Sequence, residues 1–273
     1  MFRLFRVPAA LLSVSLSLLL VPGAAVAEAS PETLRALGEV KALSDKVNSF
    51  RANLEVRDKQ GPQEQVTTSS LSASKDYGWH IRSSSEGSDY EFICDFTNFY
   101  QFYPAEKKAY KHTPGPEMQP MLRKPVTDLN PVTLLEPASL KFQGKGDIAG
   151  EPVYHFEGTT STQFLPQGKP VQRKMEAWIS AKDGLPRKTI ETVGASVGTT
   201  VYTNVEINPK LDESEFKFTP AAGVQVIDAT TQMKAMEEQE KKAAQQRASG
   251  ASDAATTAAR PQAPSSADEK PKD

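Results

Sequence analysis

Residues 77–112 read YGWHIRSSSEGSDYEFICDFTNFYQFYPAEKKAYKH. Tyr77, Trp79 and Ile81 alternate with Gly78, His80 and Arg82, the period of two that a pleated strand imposes on its two faces. A turn at Gly87-Ser88 leads into DYEFICDF, Asp95-Phe96-Thr97-Asn98 forms a second turn, and FYQFYP and KKAYKH come next. Short strands joined by small turns predict an antiparallel meander, because parallel neighbours need a long crossover between them. Trp79, Tyr90, Phe92, Phe96, Phe99, Tyr100, Phe102, Tyr103 and Tyr110 crowd this one stretch. A domain with one sheet and few helices cannot easily hide so many rings, so a curved sheet with one face around a cavity is expected.

The same period extends outward in both directions. Upstream, Phe50, Ala52, Leu54 and Val56 alternate with Arg51, Asn53, Glu55 and Arg57, and the Thr- and Ser-rich QVTTSSLSAS comes after the turn at Gly61-Pro62. Downstream, SLKFQGKG, PVYHFEGT, QRKMEAWIS, PRKTIETV and VGTTVYTNVEI read as further strands, with Asp183-Gly184 as a tight turn. In the last of these, Val197, Val201, Val205 and Ile207 are expected on one side, with Tyr202, Asn204 and Glu206 on the other. Pro31 to Phe50 reads as a helix: Ser30 is the N-cap candidate, Pro31 suits the first helical position, and Leu34, Leu37, Val40, Leu43 and Val47 form an apolar stripe. The segment Thr113 to Pro137 is broken by prolines at 114, 116, 120, 125, 131 and 137, which permits only short helices and a loop. The expected fold is α+β: a half-open antiparallel β-barrel of about ten strands, covered by the N-terminal helix and the Pro-broken insertion.

The ends carry different information. Arg3 and Arg6, an apolar run from Pro8 to Val21 and the small residues Ala25 and Ala27 describe a secretory signal peptide cleaved after Ala27. Its apolar run is shorter than the ~20 residues a spanning helix needs. No Cys stands after the cleavage position to accept an acyl group, so no lipid anchor is expected there, and the mature protein is expected in the periplasm. Residues 28–230 are the expected domain. In residues 231–273 a polar helix-favouring run, MKAMEEQEKKAAQQ, precedes a segment of Ala, Ser, Thr, Pro, Asp and Lys. That tail has too little apolar surface to offset its ordering entropy and is expected to be disordered.

Composition narrows the function classes. The formal net charge is −2, and loss of Arg3 and Arg6 brings it to about −4, giving no long-range pull toward nucleic acid or anionic lipid. Cys94 is the only cysteine, so no internal disulfide forms, and with His80, His112 and His155 scattered along the chain a zinc site has little to build from. There is no nucleophile elbow and no phosphate loop; Gly144 and Gly146 in QGKGDIAG lack the helix such a loop requires. His155, between Tyr154 and Phe156, shows no catalytic partner in the sequence. A non-enzymatic protein with no cofactor and no metal is expected.

Order and motifs together resemble the LolA-type periplasmic lipoprotein carriers and their exported relatives. The resemblance is carried by SFRANLEV after the amphipathic helix, by YGWHI, by FICDFTNFYQFYPAEKKAY and above all by the closing FKFTPAAGVQVID. There, Phe216, Phe218, Pro220, Gly223 and Val224 fit the family ending F-x-F-x-P-P-x-G-(A/V), with Ala221 where a second Pro is usual. Asp95, Tyr100 or Phe102, Tyr103 and Pro104 fit the family's aromatic hairpin, while Phe96 and Thr97 replace its Gly turn. The resemblance implies an unclosed barrel whose apolar hollow holds the acyl chains of lipoproteins or other lipids, under helices that open to load and unload. Leu34, Leu37, Val40, Trp79, Ile81, Phe92, Met121, Leu122 and Leu134 are the lipid-binding candidates, lining the hollow or facing it from a lid. The family carriers place a regulatory Arg before the aromatic strand; here SASKDYGWHI offers Lys75, which is not an equivalent donor. A sensor or envelope-protein-binding module on the same fold is the alternative reading.

Overall fold

The computed structural model describes residues 29–116, 119–127, 129–162 and 171–231, apart from the side chains of Met121, Thr127, Ser161 and Thr162. The expected signal peptide and polar tail lie outside these residues. The chain divides after Thr230, and the sheet and its helices belong to the unit before that division.

Among the described residues twelve strands form one open sheet, more than the ten or so expected. They are β1 (Ser49–Gln60), β2 (Gln63–Ser74), β3 (Gly78–Ser85), β4 (Ser88–Cys94), β5 (Phe99–Tyr103), β6 (Lys108–His112), β7 (Lys141–Ile148), β8 (Glu151–Thr162), β9 (Val171–Ser180), β10 (Pro186–Val193), β11 (Ser196–Ile207) and β12 (Gln225–Asp228). Their order across the sheet is β12-β6-β5-β4-β3-β2-β1-β11-β10-β9-β8-β7. Two meanders, β1 to β6 and β7 to β11, join where β1 pairs antiparallel with β11.

β12 alone pairs in parallel, with β6. The reason lies in the path from β11. Glu215 accepts from Arg51 on β1, its carbonyl faces His80 Nδ1 on β3 at 3.0 Å, and Phe218 reaches Tyr100 and Phe102 on β5. The chain thus crosses one face of the sheet as a strap, from the β11 side to the far edge, and arrives running with β6 instead of against it. The F-x-F-x-P motif supplies the strap's rings: Phe216 is fully buried and meets Tyr77, and Phe218 packs on β5.

The face opposite the strap, called inner here, carries the core. Helix α1 (Pro31–Ser44) lies over the second meander, and α2 (Gln119–Thr127) over the first. Ser30 caps α1 as expected, accepting from Thr33 N at 3.2 Å, but the helix ends at Ser44, short of Phe50, and Phe50 already belongs to β1. Its buried residues are Thr33, Ala36, Val40 and Ser44, so of the expected stripe Val40 and, beyond the helix, Val47 are buried, Leu37 and Leu43 are half-buried, and Leu34 stays 54% exposed. Small side chains decide the contact. Gly184, at φ +74°, sits so near the helix that an added Cβ would lie 2.3 Å from Val40 O and 2.6 Å from Ser44 N. Only a residue without a Cβ permits that approach.

β11 also departs from the simple alternation. Its register against β1 slips between Arg51 and Asn53, opposite Asn204, whose φ is +51°. A bulge of this kind inserts one residue and re-aims the side chains beyond it. Tyr202 therefore lies on the inner face opposite Leu54, and Val205 joins the same core, while Val201 lies opposite Glu55 on the other face. The expected grouping of Val201 with Val205, and of Tyr202 with Asn204 and Glu206, is corrected accordingly.

Candidate functional site

Two apolar clusters occupy the inner face. The first gathers Leu54, Trp79, Ile81, Phe92, Phe96 and Val126, with Leu71, Phe99, Leu122 and Tyr202 packed at its margin. Cross-strand register places Leu71, Ile81 and Phe92 in one row, so β2, β3 and β4 each deliver one side chain to the same level. Phe92 stacks on Phe99 with centroids 5.5 Å apart, and Trp79 meets Phe99 at 5.6 Å. The second cluster gathers Val40, Val132, Leu135, Phe156, Met175 and Ile179, with Leu37 and Phe142 against it.

The candidates named from the sequence thus fall into two groups. Trp79, Ile81, Phe92 and Leu122 come together beneath α2. Leu37 and Val40 belong to the α1 cluster, Leu134 is half-buried in the short 3-10 helix Pro131–Leu134, and Leu34 is exposed. The side chain of Met121 lies outside the described residues.

The two helices are fastened differently. The α1 helix is tied to the second meander by Phe142 N donating to Thr33 Oγ1 at 3.1 Å and by Tyr154 O–H donating to Glu39 at 2.6 Å, besides the close approach of Gly184. The α2 helix carries Pro125 in its interior and is held by Trp79 Nε1 donating to Leu122 O at 2.9 Å and by Arg123 over the Phe96 ring at 4.3 Å. Phe96 itself sits at φ +64° in the turn expected at 95–98, where Asp95 Oδ1 accepts from Thr97 N and Asn98 N.

Between the clusters the inner face is polar. Arg173 is buried and donates to Glu191 at 3.2 Å; Thr67, Ser69, Ser83 and Thr189 are buried hydroxyls, with Ser69 and Ser83 hydrogen-bonded at 2.8 Å. Burial raises the Asp58 carboxyl above its ordinary value. Burial, with the Glu191 charge adding to it, pushes the Tyr202 phenol up to about 12. Yet Tyr202 is only half-buried. The sequence carried Tyr202, Glu191 and Arg173 without marking them, since a polar residue on a strand reads by default as solvent-facing.

No protein-family model matches this sequence, and neither does any curated protein. Similar solved structures include an uncharacterized conserved protein from Thermus thermophilus, at 12% identity over 72% of this chain and 99% of that one, with a TM-score of 0.46. LprF from Mycobacterium bovis is 12% identical over 71% and 99%, with a TM-score of 0.42. A LolA superfamily protein from Nitrosomonas europaea is 9% identical over 68% and 97%, with a TM-score of 0.37. The solved structures similar to this chain include LolA-like folds. Each match is a likeness, and function is read from this chain's own geometry. Among the described residues, no group of His, Cys, Asp or Glu is placed to hold a metal ion, and no helix is long and apolar enough to cross a membrane.

Proposed function

We propose that the protein binds the acyl chains of a lipid or lipoprotein in the bacterial periplasm, having been exported by a signal peptide cleaved after Ala27. The acyl chain enters beside Tyr202 and lies along Leu54, Ile81, Trp79 and Phe92, beneath α2. Tyr202 carries this reading: it is half-buried at the margin of the first apolar cluster and borders the larger set of aromatic side chains. Each methylene moved from water into such a setting contributes ~0.8 kcal/mol. Of the two helices expected to act as lids, α2 is the one that moves, since α1 is pinned at Gly184, Thr33 and Glu39 while α2 carries Pro125 in its interior. Leu37, Val40 and Leu134 then serve as the fixed wall, and Leu122 as the face of the lid.

The two tryptophans make the test direct. Trp79 sits in the apolar cluster and Trp178 on the opposite face, stacked on His155 with centroids 4.3 Å apart. A Trp178→Phe variant leaves Trp79 as the sole indole. Acyl chains brominated along their length should quench its fluorescence saturably, and native mass spectrometry of the purified protein should show retained lipid. Absence of quenching in protein free of bound lipid refutes the proposal. Lipid-free protein that retains one envelope protein through purification would turn the assignment to the protein-binding module.

A further inference from the structure

The outer face holds a groove that acyl binding leaves unused. Two adjoining depressions, of about 720 and 600 Å³, share Asn53, Ser70 and Arg82 in their walls. Strand register explains the groove. One cross-strand row reads Thr203–Asn53–Ser70–Arg82–Glu91–Phe102, and the next reads Glu55–Thr68–Ser84–Asp89. The short hydroxyls of β2 form a floor, and the longer side chains of β1, β3 and β4 rise on either side. The strap closes one end with Glu215.

The chemistry of the lining is specific. Both Glu215 oxygens accept from Arg51 at 2.8 Å; Glu91 accepts from His80 at 2.8 Å and lies 3.5 Å from Arg82; Glu55 accepts from Arg57 at 2.7 Å. These arginines are thus already paired, and Asp89 and Glu206 add further carboxylates to the lining, so a phosphate or carboxylate ligand meets repulsion. What the groove offers is a dense array of hydrogen-bond donors and acceptors. Beyond Glu91 the row reaches Phe102, whose ring lies 5.4 Å from Phe218, itself 4.9 Å from Tyr100; all three rings are half-buried. Hydroxyls, an amide and paired charges, with half-buried rings beyond one end of the depressions, suit a ligand with many hydroxyls and an apolar C–H face.

We propose that this groove binds an uncharged oligosaccharide, independently of the acyl site. Asn53 and Arg82 are both exposed, so truncating either leaves the sheet folded. Titration calorimetry with N-acetylglucosamine, glucose and maltose-type tetrasaccharides should show binding of at least one by the wild type. Asn53→Ala and Arg82→Ala should each weaken it about tenfold, the loss of one good hydrogen bond to or from a charged or amide group. Brominated-acyl quenching of Trp79 should be unchanged in both variants, which separates failure here from failure of the acyl reading. The proposal is overturned if no tetrasaccharide binds at millimolar concentration, if both variants bind as the wild type does, or if a lysine-rich peptide occupies the groove in its place.

Discussion

Replacing Gly184 with alanine should loosen α1 from the sheet, and a matched control separates the two causes. Gly184 sits at φ +74° and Gly194 at φ +58°, both in the left-handed region. A Cβ at Gly194 meets nothing within 4 Å, whereas one at Gly184 lies 2.3 Å from Val40 O, 2.6 Å from Ser44 N and 3.0 Å from Leu43 Cβ. The backbone strain of an L-residue at such a φ is roughly 1–2 kcal/mol in either variant. Overpacking against backbone atoms that cannot rotate aside adds about 1–3 kcal/mol at Gly184 alone. Gly194→Ala should therefore cost about 1–2 kcal/mol, and Gly184→Ala about 2–5 kcal/mol. For a domain of this size each kcal/mol moves the midpoint by roughly 2–4 °C, so the Gly184 variant should melt about 4–20 °C lower. Guanidinium unfolding followed by far-ultraviolet circular dichroism measures both. Equal losses in the two variants would refute the docking of α1 on this turn and, with it, the assignment of α1 as the fixed wall.

Arg187 is buried between Glu151, at 2.8 Å, and Asp183, at 2.5 Å. Arg187→Met strands both carboxylates and should cost about 3–5 kcal/mol at neutral pH. Burial alone would raise the Glu151 carboxyl, but the hydrogen bonds from Arg187 and Ser180 more than offset it and hold it below its usual value. Its stabilisation is therefore present above the unfolded value and lost as pH falls through the folded one, so the gap between wild type and variant should narrow in acid; a gap that stays constant down to the acid transition contradicts this. Burial pushes the Cys94 thiol up to about 12, and the residue is fully enclosed. A disulfide reagent should label it only at the rate of opening; immediate labelling of native protein would show the first cluster to be open. Trp79→Phe removes the donor to Leu122 O. Amides of α2 should exchange faster in that variant while those of α1 are unchanged, and equal acceleration of both helices would mean that the two covers are not independent.

The sheet is legible because burial leaves its period in the sequence. In β3, Trp79, Ile81 and Ser83 turn inward to the expected face, and the turns at 61–62, 87–88 and 183–184 carry the residues that their backbone demands. What the sequence hides is non-local. The bulge at Asn204 is a single residue in left-handed geometry, and nothing in the alternation of β11 announces it, so simple alternation separates Val205 from Tyr202, which share one face. The α1 face is misread for a similar reason: leucines mark the widest apolar stripe, but Ala36 and Ser44 pack where close approach to Gly184 matters more than bulk. The twelfth strand exists because a partner waits on β6, and four residues of ordinary composition cannot signal that. The site shows the same division. Trp79, Ile81, Phe92 and Leu122 are legible as apolar and do assemble, whereas the Arg173–Glu191 pair needs the fold to bring β9 and β10 together over the inner face.

A moving α2 sets a condition on any acyl ligand. Lifting α2 exposes Leu122 and Val126 and breaks the bond from Trp79 to Leu122 O. Exposing two such side chains costs about 3–6 kcal/mol, and the hydrogen bond adds about 1. At ~0.8 kcal/mol per methylene, five to nine buried methylenes, roughly, are needed merely to offset that opening. Shorter chains should leave α2 in place, and affinity should then climb steeply with each added methylene. A series of fatty acids of increasing length, read by displacement of a brominated chain from Trp79, should show a threshold followed by a rise. If affinity instead grew evenly from the shortest chain upward, the acyl site would have to be open without help from α2, and the assignment of α2 as the moving cover would fall.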